Sequence, residues 1–314
     1  MMKKVSRIRF WIKCVFRQPE NIFPIKSTYN LNTMLPNPFK FYALILIALL
    51  SLNACQISPH TAYIQQQQNI PIPENLSLNQ KIAWVAKREH ELWHRPFINQ
   101  QGHIVKRGVS EATHAKLSNG QTAWQRVALY WATPNMDTLK NLSSCFQSQE
   151  RHINYCRSLL LDKPWSAAFI SHVMTQAGAK DFVLAPAHIT YIRAAAQQQG
   201  HYQLLSPTQT RPEVGDLLCY SRSEDVKNHA ALKDFLQQQQ GFLPTHCDVV
   251  VDVYEREVHL IGGNVADTVM LRKMPLDDNQ FIVFPDDAQG VCQVENETAC
   301  NANRQHWVAL LKLW

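Results

Sequence analysis

The chain has 314 residues, 46% of them hydrophobic and 18% charged, enough for one sizeable domain or two small ones. Its formal charge of +6 would suit a nucleic-acid binder, but residues 1–55 hold eight Lys and Arg against Glu20 alone, a sum of +7. The remainder therefore sums to 6 − 7 = −1, with no basic excess for a phosphate backbone, so no nucleic-acid partner is expected.

The basic start leads into an apolar run at residues 41–52, too short to cross a bilayer and of the length of a signal-peptide core. Leu52-Asn53-Ala54-Cys55 resembles the bacterial lipobox, which implies cleavage before Cys55 and lipidation of its thiol. Gln56 in place of Asp after that cysteine implies sorting to the outer membrane, facing the periplasm. A plain signal peptide or an uncleaved anchor is the other reading of residues 1–55, and Met34 would make a more ordinary start. Residues 56–80, rich in Gln and Pro, suit a tether that lets an anchored domain stand off the membrane.

From Lys81 to the C-terminus a single domain is expected. Ile82, Val85, Ala86 and Trp93 recur at helical spacing until Pro96 stops them, and residues 123–132 repeat the pattern with Trp124, Val127, Ala128 and Trp131. A third helix is expected in KPWSAAFISHVMTQAG, residues 163–178, with Gly178 as its stop. A fourth is expected from near Pro186 to Gly200. Beyond it HYQLLS, DLLCYSR, HCDVVVDVY, EVHLIGG and DTVMLRKM read as strands, and HWVALLKLW as a last strand or short helix. A helical insertion near residues 226–240 interrupts the strands. Helices first and strands afterwards predict an α+β fold with an antiparallel sheet.

Six cysteines remain once Cys14 and Cys55 are set aside, an even number that reads as disulfides in an exported chain. Among fifteen connectivities, proximity favours the local pairs Cys145–Cys156 and Cys292–Cys300, which leaves Cys219 with Cys247. The cysteines lack the spacing of a zinc or redox site, and neither a metal nor a cofactor is expected.

Ser166 shares a helix face with Phe169, Ile170, Val173, Met174 and Ala177, so its hydroxyl points into the protein or a cleft. In a first turn it is either a nucleophile near unpaired backbone N–H groups or an inert cap. His246 opens a strand and Asp248 shares its strand face; a histidine there can move protons near neutral pH. Gly262-Gly263-Asn264 suggests a turn or a close backbone approach, and Asn264 either orients an imidazole or simply turns the chain. His188, in the first turn of its helix, is open to capping or substrate contact, and Asp216 reads as structural. A weaker reading takes His188, His246 and Asp248 as metal ligands, although their spacing matches no standard zinc pattern.

PWSAAFISHVMTQAG resembles the PWCAAFV-type nucleophile helix of CHAP and NlpC-type papain-like amidases. PEVGDLLCY and HCDVVV resemble their following strands, whose histidine is the general base. The run PWSAAFIS, AH-x-x-YI, GDLLCYSR, HCDVVV and IGGNV, over roughly residues 81–284, is similar to the bacterial family called domain of unknown function 2272. The resemblance implies a papain-like fold with Ser166 in the cysteine's place, His246 as base and Asn264 as its orienting partner. Trp165, His188 and Asp248 are then expected to contact substrate. The expected function is hydrolysis of amide or peptide bonds, with peptidoglycan as substrate. The competing expectation is an inactive domain that binds peptidoglycan or an envelope protein through the same cleft. Ser166 bonded to His246 in an open cleft would favour the enzyme; a buried Ser166 away from His246 would favour binding.

Overall fold

The computed structural model describes residues 71–133, 150–161, 163–238, 241–285 and 290–314. The leader, Cys55, Cys145 and most of the tether lie outside them. Ser77 opens the first helix, α1 (Leu78–Leu92), three residues ahead of the expected Lys81. The reason is local: Ser77 and Gln80 form a capping box that satisfies N–H groups at the helix start. After α1 come two short strands, β1 (Phe97–Ile98) and β2 (Ile104–Lys106), between the first two expected helices, where no element was expected. Then follow α2 (Ala123–Trp131), α3 (Glu150–Leu161), α4 (Ser166–Ala177) and α5 (His188–Ala196). Gly178 ends α4 in the left-handed conformation at φ 80°, as expected of a glycine stop.

The rest is mainly strand: β3 (Tyr202–Leu205), β4 (Leu217–Ser221), β5 (Thr245–Val253), β6 (Glu257–Val265), β7 (Thr268–Pro275) and β8 (His306–Leu313). The expected insertion is α6 (His229–Gln237), which packs on β8. The sheet runs β2-β1-β7-β6-β5-β4-β8-β3. It is mixed, not purely antiparallel, because β1 lies parallel to β7. HWVALLKLW resolves as a strand inserted between β4 and the edge strand β3, so the last strand is paired on both sides.

Alternation along β5 separates two cores. Cys247, Val249 and Val251 join the helices α1, α2, α4 and α5 in the larger one. Val250, with Leu218, Tyr220, Leu260, Trp307 and Leu310, forms a second cluster on the other face. Cys219 faces Cys247 directly across β4 and β5 and is bonded to it, and Cys292 is bonded to Cys300, both as expected. Asp216 stands at the turn into β4. Its carboxylate accepts from Leu313 N–H at 2.9 Å, Glu213 N–H at 2.7 Å and Lys312 Nζ at 3.1 Å, fastening the end of β8.

Candidate functional site

Ser166, His188 and His246 each stand at the first or second residue of an element: α4, α5 and β5. Ser166 does not cap its helix. Trp165 holds the N-cap position, and the first helical bond runs from Phe169 N–H to the Trp165 carbonyl at 2.9 Å. The N–H groups of Ser166, Ala167 and Ala168 precede that bond, at the positive end of the helix. Ser166 Oγ is hydrogen-bonded to His188 Nε2 at 2.7 Å, and His188 Nδ1 to the Tyr191 hydroxyl. Tyr191 lies three residues beyond His188, on the same helix face.

His246 belongs to a second chain of polar groups. Its Nε2–H donates to Asp248 Oδ1 at 2.8 Å, and Arg272 Nε donates to Asp248 Oδ2 at 3.2 Å. Arg272 Nη1 in turn donates to Asn303 Oδ1 at 2.9 Å, and its guanidinium lies over the Trp307 ring. Burial alone would raise the Asp248 pKa, but the His246 ring and Arg272 outweigh it and hold the carboxyl below its ordinary range. The His246 ring stacks on Tyr220, and its Nδ1 is buried without a hydrogen-bond partner. The two chains meet where the His188 and His246 ring centroids come within 5.1 Å. Burial first, then the charges of His246 and Arg222, push the His188 pKa well below that of a free imidazole.

Gly262 explains half of the double glycine. A Cβ there would fall 1.8 Å from Asp248 Oδ1 and 3.0 Å from His246 Nε2, so the missing side chain makes room for the pair. A Cβ on Gly263 would strike Phe169 and Trp165, so that glycine lets β6 press onto the start of α4. Asn264 sits at φ 57° at the end of β6 and makes no hydrogen bond to His246. The group that orients His246 is Asp248, expected to touch substrate. Sequence gives the shared strand face of these two residues, but only the folded strand shows their contact. Trp165 is fully buried between Trp93 and Tyr130, with ring centroids at 5.5 and 5.6 Å, so it is a core residue beside the site. The expected Ser166–His246 contact is replaced by Ser166–His188. Among the described residues no group of three or more His, Cys, Asp or Glu is arranged to hold a metal, which leaves the metal reading of His188, His246 and Asp248 without support.

The site is closed: Ser166 is 7% exposed, His188 4% and His246 0%. Beside it Glu111 is buried with Oε2 unpartnered, next to the Trp165 indole and Asp267. Burial, then the Asp267 charge, raises its pKa to about 7. Tyr191, Arg272, Asn303 and Glu111 escaped the sequence reading. Tyr191 alone had a signal, the i, i+3 spacing from His188; the others are brought in by strand pairing and loops far along the chain.

No curated protein and no solved structure matches the chain. A family profile described as "Uncharacterized protein conserved in bacteria (DUF2272)" matches residues 118–313, from the approach to α2 through β8. That match covers well over half of the chain and includes Ser166, His188, His246, Asp248 and Arg272, and on it the chain belongs to the DUF2272 family.

Proposed function

We propose that this protein is a papain-like cell-envelope lipoprotein, anchored through Cys55, that hydrolyses amide or peptide bonds in peptidoglycan with Ser166 as nucleophile. The observation that carries the reading is the His246–Asp248 pair. An imidazole whose Nε2–H is held by a buried carboxylate, and whose Nδ1 is buried without a partner, is arranged as a general base. Asp248, not Asn264, is its orienting group.

Ser166 Oγ attacks the scissile carbonyl carbon while its proton passes to His246 Nδ1. The negative oxygen is met by the N–H groups at the start of α4. The C–N bond breaks as His246 returns the proton to the leaving amine. Water then repeats the sequence on the acyl-serine and restores the hydroxyl. His188 holds the Ser166 hydroxyl in the resting protein, so attack requires a turn of that side chain and an opening over the site.

The closure of the site favours a second reading, an inactive domain that binds peptidoglycan or an envelope protein. Ser166 is buried and bonded to a histidine other than His246, which supports it. Release of muropeptide fragments from purified peptidoglycan separates the two. The wild type should release fragments and Ser166→Ala should release none. Equal release by both removes Ser166 from the chemistry. A silent wild type with an active Ser166→Cys variant identifies a lapsed cysteine hydrolase.

A further inference from the structure

The bond between Ser166 and His188 has two possible senses, and they have opposite consequences. A neutral imidazole carries one N–H: if it sits on Nε2, His188 donates to Ser166 Oγ; if it sits on Nδ1, Ser166 donates to His188. The other ring nitrogen decides, and it faces the Tyr191 hydroxyl. A phenol O–H is a good donor and a poor acceptor. Burial first, then the nearby Asp248 and Tyr202, raises the Tyr191 pKa well above that of a free phenol, so the proton stays on its oxygen. Burial, His246 and Arg222 keep His188 neutral, so tautomer and not charge is the open variable.

We infer that Tyr191 is a positioning residue: its O–H donates to His188 Nδ1, fixing the proton of His188 on Nε2, where it is donated to Ser166 Oγ. The sense of every bond then runs one way, from Tyr191 through His188 to the serine oxygen. The Ser166 hydroxyl proton is left unclaimed by His188, and His246 Nδ1 is a buried acceptor without a donor. His188 therefore holds the serine oxygen without competing for its proton. That consequence rests on the hydrolase reading; the tautomer itself does not.

Nitrogen-15 NMR of the full chain with labelled histidine reads the tautomer without substrate. The His188 signals are identified among the 13 histidines by their loss in His188→Gln. The wild type should show His188 mainly as Nε2–H. Tyr191→Phe keeps the ring that packs on Phe182, at 5.1 Å between centroids. It should lower the Nε2–H to Nδ1–H ratio by about fivefold or more, the bias that a hydrogen bond of ordinary net strength supplies. Ser166→Ala, which leaves Tyr191 in place, should keep Nε2–H. The inference is overturned by a wild type that is mainly Nδ1–H, by a ratio that Tyr191→Phe leaves unchanged, or by loss of Nε2–H in Ser166→Ala. Absence of peptidoglycan hydrolysis would instead sink the proposed function and leave the tautomer assignment standing.

Discussion

Two buried polar systems flank the helix α4, and they are built on different terms. On one side Glu89 of α1 meets Arg126 and Tyr130 of α2. Arg126 Nε donates to Glu89 Oε2 at 2.9 Å and Arg126 Nη2 to Oε1, while the Tyr130 hydroxyl donates to Oε2 at 2.7 Å and receives Trp93 Nε1–H at 2.9 Å. Both carboxylate oxygens are taken. Burial would raise the Glu89 pKa, but Arg126 and the attached hydrogen bonds drive it far below the usual range. On the other side the Ser166 and His246 chains meet without closing, and His246 Nδ1 is left bare. A buried polar system with its carboxylate fully engaged anchors a fold, because each group compensates the desolvation of another. His172 Nε2, 3.8 Å from Glu89 Oε1, is bare as well; the difference lies at His246, whose bare nitrogen sits on a ring that Asp248 holds at 2.8 Å and so forgoes stability at a point where chemistry can use it.

This contrast gives expectations that differ in kind. Glu89→Ala leaves Arg126 buried without its counter-charge and should lower the free energy of unfolding by about 3–5 kcal/mol, read from urea titration. A loss under about 1 kcal/mol would show that the pair does not anchor α1 to α2. Gly262→Ala should cost about 1–3 kcal/mol, since the new methyl must displace Asp248, and hydrolysis should fall with it. Activity kept at wild-type level would mean that the His246–Asp248 geometry is irrelevant to turnover.

Glu111 is the test of pH. Its folded pKa is raised from 4.5 to about 7, so its contribution is fully present below about pH 4.5 and is lost as pH rises through 7. Glu111→Gln cannot ionise, so its stability relative to wild type should rise by about 2 kcal/mol between pH 5 and pH 8. Asp216, raised to about 6 by burial against its hydrogen bonds, titrates in both proteins and cancels from the difference. A gap that does not change with pH would place the Glu111 carboxyl in water. Ser166→Ala should have the smallest effect on stability, about 1 kcal/mol for one lost hydrogen bond, while abolishing hydrolysis. A large loss of stability there would put Ser166 on the structural side of the comparison.

Much of this arrangement was legible along the chain, and each success has a local cause. The 3, 4, 7, 8, 11 spacing after Ser166 fixed its helix face, and Gly178 fixed the helix end. The Cys292–Cys300 disulfide followed from a separation of 8 residues, and Cys219–Cys247 was the pair left once the local ones were taken. The double glycine left a turn and a close approach both open, and the structure shows the close approach. The failures are equally physical. Strands of two and three residues, β1 and β2, are too short to show a period, so the parallel β1–β7 edge was invisible and the sheet was expected to be antiparallel.

By itself, then, the sequence determined the main helices and the longer strands, and the faces on which Ser166, His246 and Asp248 lie, because periodicity is a property of neighbours, while the cysteine pairs could only be ranked. The tertiary structure decided who meets whom. It put His188 and not His246 on Ser166, because α5 and β5 converge on the start of α4. It gave His246 to Asp248, because Gly262 of the next strand leaves room for their contact. And it tied that pair, through Arg272, to Asn303 in a loop 31 residues further on. Those contacts depend on strand register and helix packing, which no local pattern encodes.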